Sequence, residues 1–208
     1  MTKTVLCYGD SNTWGFDPRT KERFGVDTRW PGVLRAELGH GFHVIEEGLN
    51  GRTTVWTDPL GEYRNGKHLL IPCLETHKPL DLVILMLGTN DLKAKFSATA
   101  LDIAKGAGLL VDMIQQSRTG PGCVSPKVLL ICPLPLARLT ELAELFEGAT
   151  EKSRRLSAHY QNVANELGCS FLNAGDLIQC SELDGIHLDA EAHAAVGKAI
   201  AAETRRIL

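Results

Sequence analysis

The feature that most restricts the fold of this chain is a regular alternation of short apolar runs with longer amphipathic stretches. Five short runs rich in β-branched and other apolar residues occur at 4–8, 42–46, 82–87, 127–132 and 170–172. The intervening stretches have the apolar period of helices, which are predicted at 30–39, 66–77, 99–117, 150–167 and 189–206. Strands that alternate with helices pair in parallel, with helices on both faces of the sheet. The sequence therefore predicts an α/β fold, a three-layer α/β/α sandwich with a five-stranded parallel sheet.

Local signals sharpen this outline at a few positions. Thr99 and Asp102 have the spacing of a capping box, which predicts the start of the helix at 99–117. The stretches 16–29 and 118–126 have no regular period and are predicted to be irregular. The fourth strand is expected to end at the proline after Cys132, because proline cannot donate to a strand ladder.

Length and charge limit the domain organisation and the partners. A chain of 208 residues that is 44% hydrophobic fits a single domain, 1–208, with one sizeable core. A formal net charge of -3, without a run of five like charges, argues against nucleic acid and anionic membrane as partners. The apolar run at 4–8 is too short for a signal peptide or a membrane span, so a cytoplasmic protein is expected. The expected partners are a small molecule and further copies of the chain, as a homo-oligomer.

Six cysteines raise the question of disulfides or zinc. The chain has no C-x-x-C pair, and Cys7 and Cys132 lie inside apolar strand-like runs. Free, buried thiols are therefore expected.

Four polar motifs follow the predicted strands. In open α/β sheets a ligand binds in the crevice beyond the carboxyl ends of the strands, so these positions carry the functional information. The motifs are Gly-Asp-Ser-Asn at 9–12, Gly-Leu-Asn-Gly-Arg-Thr-Thr at 48–54, Gly-Thr-Asn-Asp at 88–91 and Asp-Gly-Ile-His at 184–187. Each motif alone has an ordinary explanation as a turn or a helix cap. Together they bring one complete set of catalytic groups to a shared crevice.

The chemistry of that set is nucleophilic catalysis by a serine. A serine hydroxyl needs a base that accepts its proton, and the base needs a carboxylate that fixes its tautomer. Ser11, His187 and Asp184 supply the nucleophile, the base and the carboxylate. A developing oxyanion needs donors already directed at it, and the N–H groups of Ser11 and Gly51 with the amide of Asn90 can provide three.

The four motifs together resemble those of the SGNH (GDSL-like) hydrolase family over the whole chain. The stretches 10–15, 44–49, 52–54 and 86–91 are similar to the arylesterase and acyltransferase branch. The resemblance implies a flavodoxin-like fold, a triad of Ser11, Asp184 and His187, and an oxyanion hole of Ser11, Gly51 and Asn90. It also implies a compact homo-oligomer and, in some members, acyl transfer to alcohols in water.

Two positions depart from the family pattern and bear on the substrate. Asn12 replaces the usual Leu after the nucleophile, and Asn50 replaces the usual Ser before the glycine of the second block. Together with Trp14 and Phe16, which follow the nucleophile, they are predicted to bind substrate. The bulk of the two aromatic side chains favours a small acyl pocket and short-chain aryl or alkyl esters. A carbohydrate acetylesterase and a catalytically silent ester- or acetyl-sugar-binding domain remain as alternatives.

Rival catalytic designs have less support. The serine motifs G-x-S-x-G and S-x-x-K are absent, as are phosphate loops of Walker or Rossmann spacing, so no cofactor is expected. Asp10, Asp91 and His187 form a poor ligand set for a catalytic metal, and none is expected. His193 is predicted to lie on the polar side of the last helix, in solvent.

Overall fold

The computed structural model describes residues 2–208 and is built on one parallel sheet. Its strands, in chain order, are β1 (Lys3–Gly9), β2 (Phe42–Gly48), β3 (Leu82–Met86), β4 (Lys127–Cys132) and β5 (Ser170–Asn173). They lie in the order β2-β1-β3-β4-β5, and every neighbouring pair is parallel. The predicted five-stranded parallel sheet is therefore confirmed, with the strand order of flavodoxin-like folds.

Helices cover both faces of the sheet. They are α1 (Ser11–Trp14), α2 (Trp30–Leu38), α3 (Gly66–His77), α4 (Ala100–Gln116), α5 (Ala149–Arg154), α6 (Leu156–Leu167) and α7 (Ala190–Ile207). Alternate residues of β1 enter the two cores. Leu6 and Tyr8 pack with residues of α3, α4 and α6, whereas Val5 and Cys7 pack with residues of α2 and α7. This is the alternation expected of a strand that is buried on both faces.

Two local details test the expectations from sequence. Thr99 caps α4, and its capping box with Asp102 is formed in full, as expected. The single helix predicted at 150–167 is wrong, because the chain breaks at Arg155 into α5 and α6. Just before the break, the Ser153 hydroxyl donates to the Thr150 carbonyl and accepts from a backbone N–H of the loop after β4, bonds that compete with a regular helical ladder.

The loops that follow the carboxyl ends of the strands lie at one edge of the sheet. β1 leads directly into α1, whereas the segment between β4 and α5, 133–148, contains no helix or strand. All six cysteines are free thiols, as expected, but the expected burial is wrong for half of them, since Cys73 and Cys169 are partly exposed and Cys123 is exposed. Within residues 2–208, no helix combines the length and apolar character needed to cross a bilayer.

Candidate active site

Ser11 begins the short helix α1, two residues beyond the end of β1. The Asp10 side chain caps this helix by accepting from the Asn12 backbone N–H at 3.0 Å. The turn is tight, since a Cβ on Gly9 would lie 2.0 Å from the Thr13 hydroxyl oxygen and 2.8 Å from the Met86 carbonyl oxygen. Only glycine fits there, and the close approach holds the serine at the carboxyl edge of the sheet.

His187 and Asp184 lie in the loop before α7, which is fixed by its own backbone. The Ser181 N–H donates to the His187 carbonyl, and the Gly185 N–H donates to the Ser181 carbonyl, both at 2.8 Å. One oxygen of Asp184 accepts from the backbone N–H groups of Ile186 and His187 at 2.9 Å each. Its other oxygen is thereby left facing the imidazole.

The three side chains form one hydrogen-bonded chain. His187 Nε2 lies 2.9 Å from Ser11 Oγ, and His187 Nδ1 lies 2.5 Å from Asp184 Oδ2. Burial alone would raise the pKa of Asp184, but the hydrogen bonds from the His187 ring and backbone outweigh it and hold that pKa below its ordinary value. An ionised Asp184 keeps the ring proton on Nδ1, which leaves the Nε2 lone pair free to accept from the serine hydroxyl.

Asn12 joins the two halves of this arrangement. Its amide donates to the Ile186 carbonyl at 3.4 Å and accepts from the Leu188 N–H at 3.1 Å. The side chain is buried and is not part of the pocket wall, so the structure does not support the predicted substrate contact. Because α1 turns Asn12 away from the crevice, this residue fixes the serine and histidine loops against each other.

The three expected oxyanion donors converge on the same pocket. Gly51 has a φ of +80°, in the region that favours glycine, and both Gly51 and Asn90 line the pocket beside Ser11. Within residues 2–208, the backbone N–H groups of Ser11 and Gly51 have no hydrogen-bond partner. The Asn90 amide nitrogen donates to the Arg52 carbonyl at 3.2 Å and lies 3.5 Å from Asp10 Oδ2.

Buried polar side chains support these loops from below. The Arg52 guanidinium lies over the Tyr8 ring and donates to the Gly9 carbonyl at 2.9 Å, which fixes the loop after β2 to the end of β1. Asp91 accepts from the Thr54 backbone N–H at 2.9 Å and from its hydroxyl, and this links the loops after β2 and β3. Burial raises the pKa of Asp91 to about 6.

The pocket at the triad is small. Its volume is about 250 Å³, and its wall is largely apolar. The lining residues come from four strand-end loops and from the irregular segment after β4: Ser11, Phe16, Asn50, Gly51, Thr89, Asn90, Lys93, Leu142, Leu145, Phe146, Ile186 and His187.

Of the four residues predicted to bind substrate, two line this pocket. Phe16 does so with its ring centroid 4.3 Å from that of His187, and Asn50 lies beside Gly51. Trp14, like Asn12, is not part of the wall. Its indole packs under the Arg23 guanidinium at 5.1 Å, because the turn of α1 directs it away from the serine.

One wall of the pocket was not predicted from the sequence. Leu142, Leu145 and Phe146 come from the irregular segment 133–148, and Lys93 follows the Gly-Thr-Asn-Asp motif by two residues. The apolar spacing of the first three, at i, i+3 and i+4, is a signal that could have identified a single folded turn. The signal for Lys93 is its position two residues after the Gly-Thr-Asn-Asp motif, in the same strand-end loop.

The solvent position predicted for His193 is wrong. The side chain is 0% exposed, and its Nδ1 accepts from the Trp30 backbone N–H at 3.2 Å. Trp30 opens α2, and the Arg29 side chain before it makes no capping bond. The close packing of α7 on α2 therefore uses His193 as a cap for the neighbouring helix.

One group of side chains has metal-ligand chemistry in the part of the chain that the structure describes. The ligand atoms of Glu47, Cys73 and His77 lie within 4.8 Å of one another, away from the pocket wall. His77 Nε2 lies 2.8 Å from Glu47 Oε1, an ordinary hydrogen bond that accounts for their closeness without a metal.

The fold and the Ser–His–Asp geometry define the class of α/β serine esterases. Within that class, the model of the GDSL-like lipase/acylhydrolase family matches residues 7–195, and the chain belongs to this family. The recognition of the SGNH family from its four motifs is thus confirmed, and the protein is a carboxylic ester hydrolase.

Solved structures with high similarity cover the whole chain. A carbohydrate acetylesterase from Sinorhizobium meliloti is 42% identical with a TM-score of 0.96, and both chains are covered in full. An aryl esterase from M. smegmatis is 44% identical with a TM-score of 0.96, again with full coverage of both chains. A putative arylesterase from Agrobacterium tumefaciens is 43% identical over both full chains, with a TM-score of 0.91. A search of curated proteins gives no match.

Proposed function

We propose that this protein hydrolyses short-chain aryl and alkyl esters through an acyl-enzyme on Ser11. The observation that carries the proposal is the hydrogen-bonded chain from Asp184 through His187 to Ser11, at 2.5 and 2.9 Å. His187 takes the proton of Ser11 as the hydroxyl oxygen attacks the ester carbonyl carbon. The alcohol then leaves with that proton, and water attacks the acyl-enzyme in the reverse sequence.

The oxyanion that forms in each step is proposed to lie among the N–H groups of Ser11 and Gly51 and the Asn90 amide. Neither N–H group of Ser11 and Gly51 has a partner among the described residues, and this supports the role, because a donor must be free to bind the oxyanion. The bond from the Asn90 amide to the Arg52 carbonyl orients the side chain before substrate arrives. Its second N–H, whose nitrogen lies 3.5 Å from Asp10 Oδ2 at the limit of a hydrogen bond, is the one proposed to bind the oxyanion. A donor fixed in this way stabilises the transition state by about 3–4 kcal/mol.

A short acyl group is supported by the size of the pocket. A volume of about 250 Å³ lies below the range of roughly 300–1,000 Å³ of pockets for drug-sized ligands. Phe16 closes one side against His187, and Phe146 contributes to the wall from the segment 133–148. Acetyl and similarly short acyl groups therefore fit best.

Two finer features belong to the same proposal. The names of the similar structures, an aryl esterase and a carbohydrate acetylesterase, favour aryl esters and acetylated carbohydrates as substrates. The apolar wall supports a second acceptor, because Leu142, Leu145 and Ile186 favour an alcohol over water near the acyl-enzyme. Acyl transfer to alcohols is therefore proposed beside hydrolysis.

We also propose that the protein works in the cytoplasm as a homo-oligomer. The side chains of Leu60 and Tyr63, 89% and 75% exposed, lie in one loop and offer apolar surface that a second copy would cover. The cytoplasmic location is supported by the free state of all six thiols, since disulfides are typical of oxidising compartments. Light scattering on the purified protein measures the number of subunits.

The test of the proposed function is covalent labelling combined with turnover. We expect a fluorophosphonate to add once per chain, at Ser11, and to abolish hydrolysis of 4-nitrophenyl acetate. The Ser11→Ala variant should neither be labelled nor turn over the ester above background. Labelling at another residue, or turnover in Ser11→Ala, would contradict the mechanism, and a folded protein without turnover would favour a silent binding domain.

A further inference from the structure

Lys93 places a lone positive charge in the wall of the substrate pocket. Of the residues that line the pocket, only Lys93 and His187 have ionisable side chains. The others are apolar, hydroxyl or amide residues and glycine, so Lys93 sets the charge that a substrate meets outside the triad.

The ammonium group of Lys93 is not neutralised within the protein. Its side chain makes no hydrogen bond and no ion pair within residues 2–208, although it is half-buried. Lys95, two residues later, shows the contrast, because it pairs with Asp58 at 2.5 Å. A partly desolvated cation without a partner is costly, and an anion that enters the pocket would offset that cost.

The surroundings of Lys93 hold it near the pocket wall. Its Nζ lies 5.9 Å from the centre of the Phe146 ring, within the range of a cation–π contact. Burial lowers the pKa of Lys93, and so does the positive charge of Lys95, whereas the carboxylates of Asp58, Asp10 and Asp91 act in the opposite direction.

Those carboxylates do not occupy the pocket. Asp10 accepts from the Asn12 N–H and Asp91 from Thr54, and both are buried beneath the loops rather than part of the pocket wall. Asp58 is bound to Lys95. The space in front of the Lys93 ammonium is therefore left to the substrate.

We propose that Lys93 makes the enzyme select esters that carry a carboxylate a few bonds from the ester group. The inference rests on the proposed function and names its substrate class. The carboxylate can belong to the acyl part, as in the half-ester of a short dicarboxylic acid, or to the alcohol part, as in an acetylated hydroxy acid. Lys93 binds this group and takes no part in proton transfer, so it determines specificity through KM.

The experiment compares charged and neutral esters of matched size. The acyl arm pairs 4-nitrophenyl hemiglutarate with 4-nitrophenyl 5-oxohexanoate, and the alcohol arm pairs 4-acetoxybenzoate with 4-acetoxybenzamide. Ser11→Ala supplies the uncatalysed rate for every ester. The measured quantity is the ratio of kcat/KM for the charged ester to that for its neutral partner, in the wild type, Lys93→Met and Lys93→Arg.

We expect this ratio to be about 10 or more in at least one arm of the wild type. Lys93→Met should lower it about tenfold by raising KM for the charged ester, and Lys93→Arg should retain most of it. The control Lys105→Met removes an exposed charge on α4 and should leave the ratio unchanged. Fluorophosphonate labelling of each variant shows that its triad is assembled.

The outcomes separate this inference from the proposed function. Turnover of the neutral esters with ratios of one or below in both arms overturns the role of Lys93 and leaves the esterase intact. A preference for the charged ester that is unchanged in Lys93→Met also overturns the role of Lys93. Absence of turnover with the charged and the neutral esters alike, in protein shown to be folded, overturns the proposed function itself.

Discussion

His187 and His193 are six positions apart in the chain and face opposite kinds of partner. Both are buried beside a phenylalanine ring, Phe16 for His187 and Phe24 for His193. Nδ1 of His187 faces a carboxylate and therefore carries a proton, whereas Nδ1 of His193 accepts from a backbone N–H and therefore cannot. The partner of one ring nitrogen decides whether a buried histidine serves as a base or as a structural acceptor.

Burial affects the second histidine strongly. Desolvation lowers the pKa of His193 to about 4, because the charged ring would lose its water and would also have to donate at a position where it now accepts. The negative charge of Asp189 acts in the opposite direction, while the electrostatic effects of Arg29 and the His187 ring add to the decrease. His193 is thus neutral at physiological pH and gives the start of α2 an acceptor.

The largest expected difference between the two residues is in catalysis. His187→Asn removes Nε2, which lies 2.9 Å from Ser11 Oγ and is proposed to take its proton, and should lower kcat by about 10⁴-fold or more. His193→Asn keeps an acceptor near the position of Nδ1 and should retain activity of the same order as the wild type. Steady-state hydrolysis of 4-nitrophenyl acetate measures both. Comparable losses of kcat in the two variants would contradict the different roles given to His187 and His193.

A change of the carboxylate should give His187 the bonding pattern of His193. In Asp184→Asn the new amide can donate to Nδ1, so the ring proton moves to Nε2 and the base can no longer accept from the serine. We expect kcat to fall by about 10³- to 10⁴-fold. Asp189→Asn is the matched control, because it alters the acid near His193. Asp189 caps α7 by accepting from the Ala192 N–H. A loss below tenfold in Asp184→Asn would mean that the carboxylate does not fix the tautomer.

The smallest expected effect is on stability in acid. A buried histidine whose pKa is depressed in the folded state stabilises the protein above its unfolded pKa, and this stability is lost as the pH falls towards about 4. The corresponding change is about 3 kcal/mol. The buried carboxyls of Asp10 and Asp91, with pKa values raised to about 6, act in the opposite sense. Their contribution to the stability of the folded protein is lost as the pH rises through about 6.

The comparison of wild type with His193→Asn cancels the two carboxyl contributions. Between pH 7 and pH 4.5, urea unfolding should show a greater loss of stability in the wild type than in the variant. Equal losses in both proteins would mean that His193 is already protonated or is exposed in solution.

The sequence identified the parts of the molecule that depend on local pattern. The strand runs and the four motifs predicted the sheet and the convergence of the loops that carry Ser11, Asn90 and His187. Residues whose role depends on packing between distant elements were not accessible in this way. His193 follows the polar pattern of its own helix, and only the approach of α2 shows that it is buried.

The remaining differences have the same physical origin. Trp14 and Phe16 are two residues apart and equally apolar, but the αL residue Gly15 between them, which ends α1, sends one side chain under Arg23 and the other into the pocket. The segment 133–148 has no regular secondary structure, so the spacing of its apolar residues could indicate a turn but not that this turn lies against the pocket.

The hydroxyl of Ser11 and the imidazole of His187 meet although 176 positions separate them. During synthesis the proposed nucleophile therefore leaves the ribosome well before the proposed base. Until the loop that carries His187 is translated and Asn12 binds it, the Ser11 hydroxyl has no imidazole beside it. A fragment that ends before His187 should consequently turn over no ester.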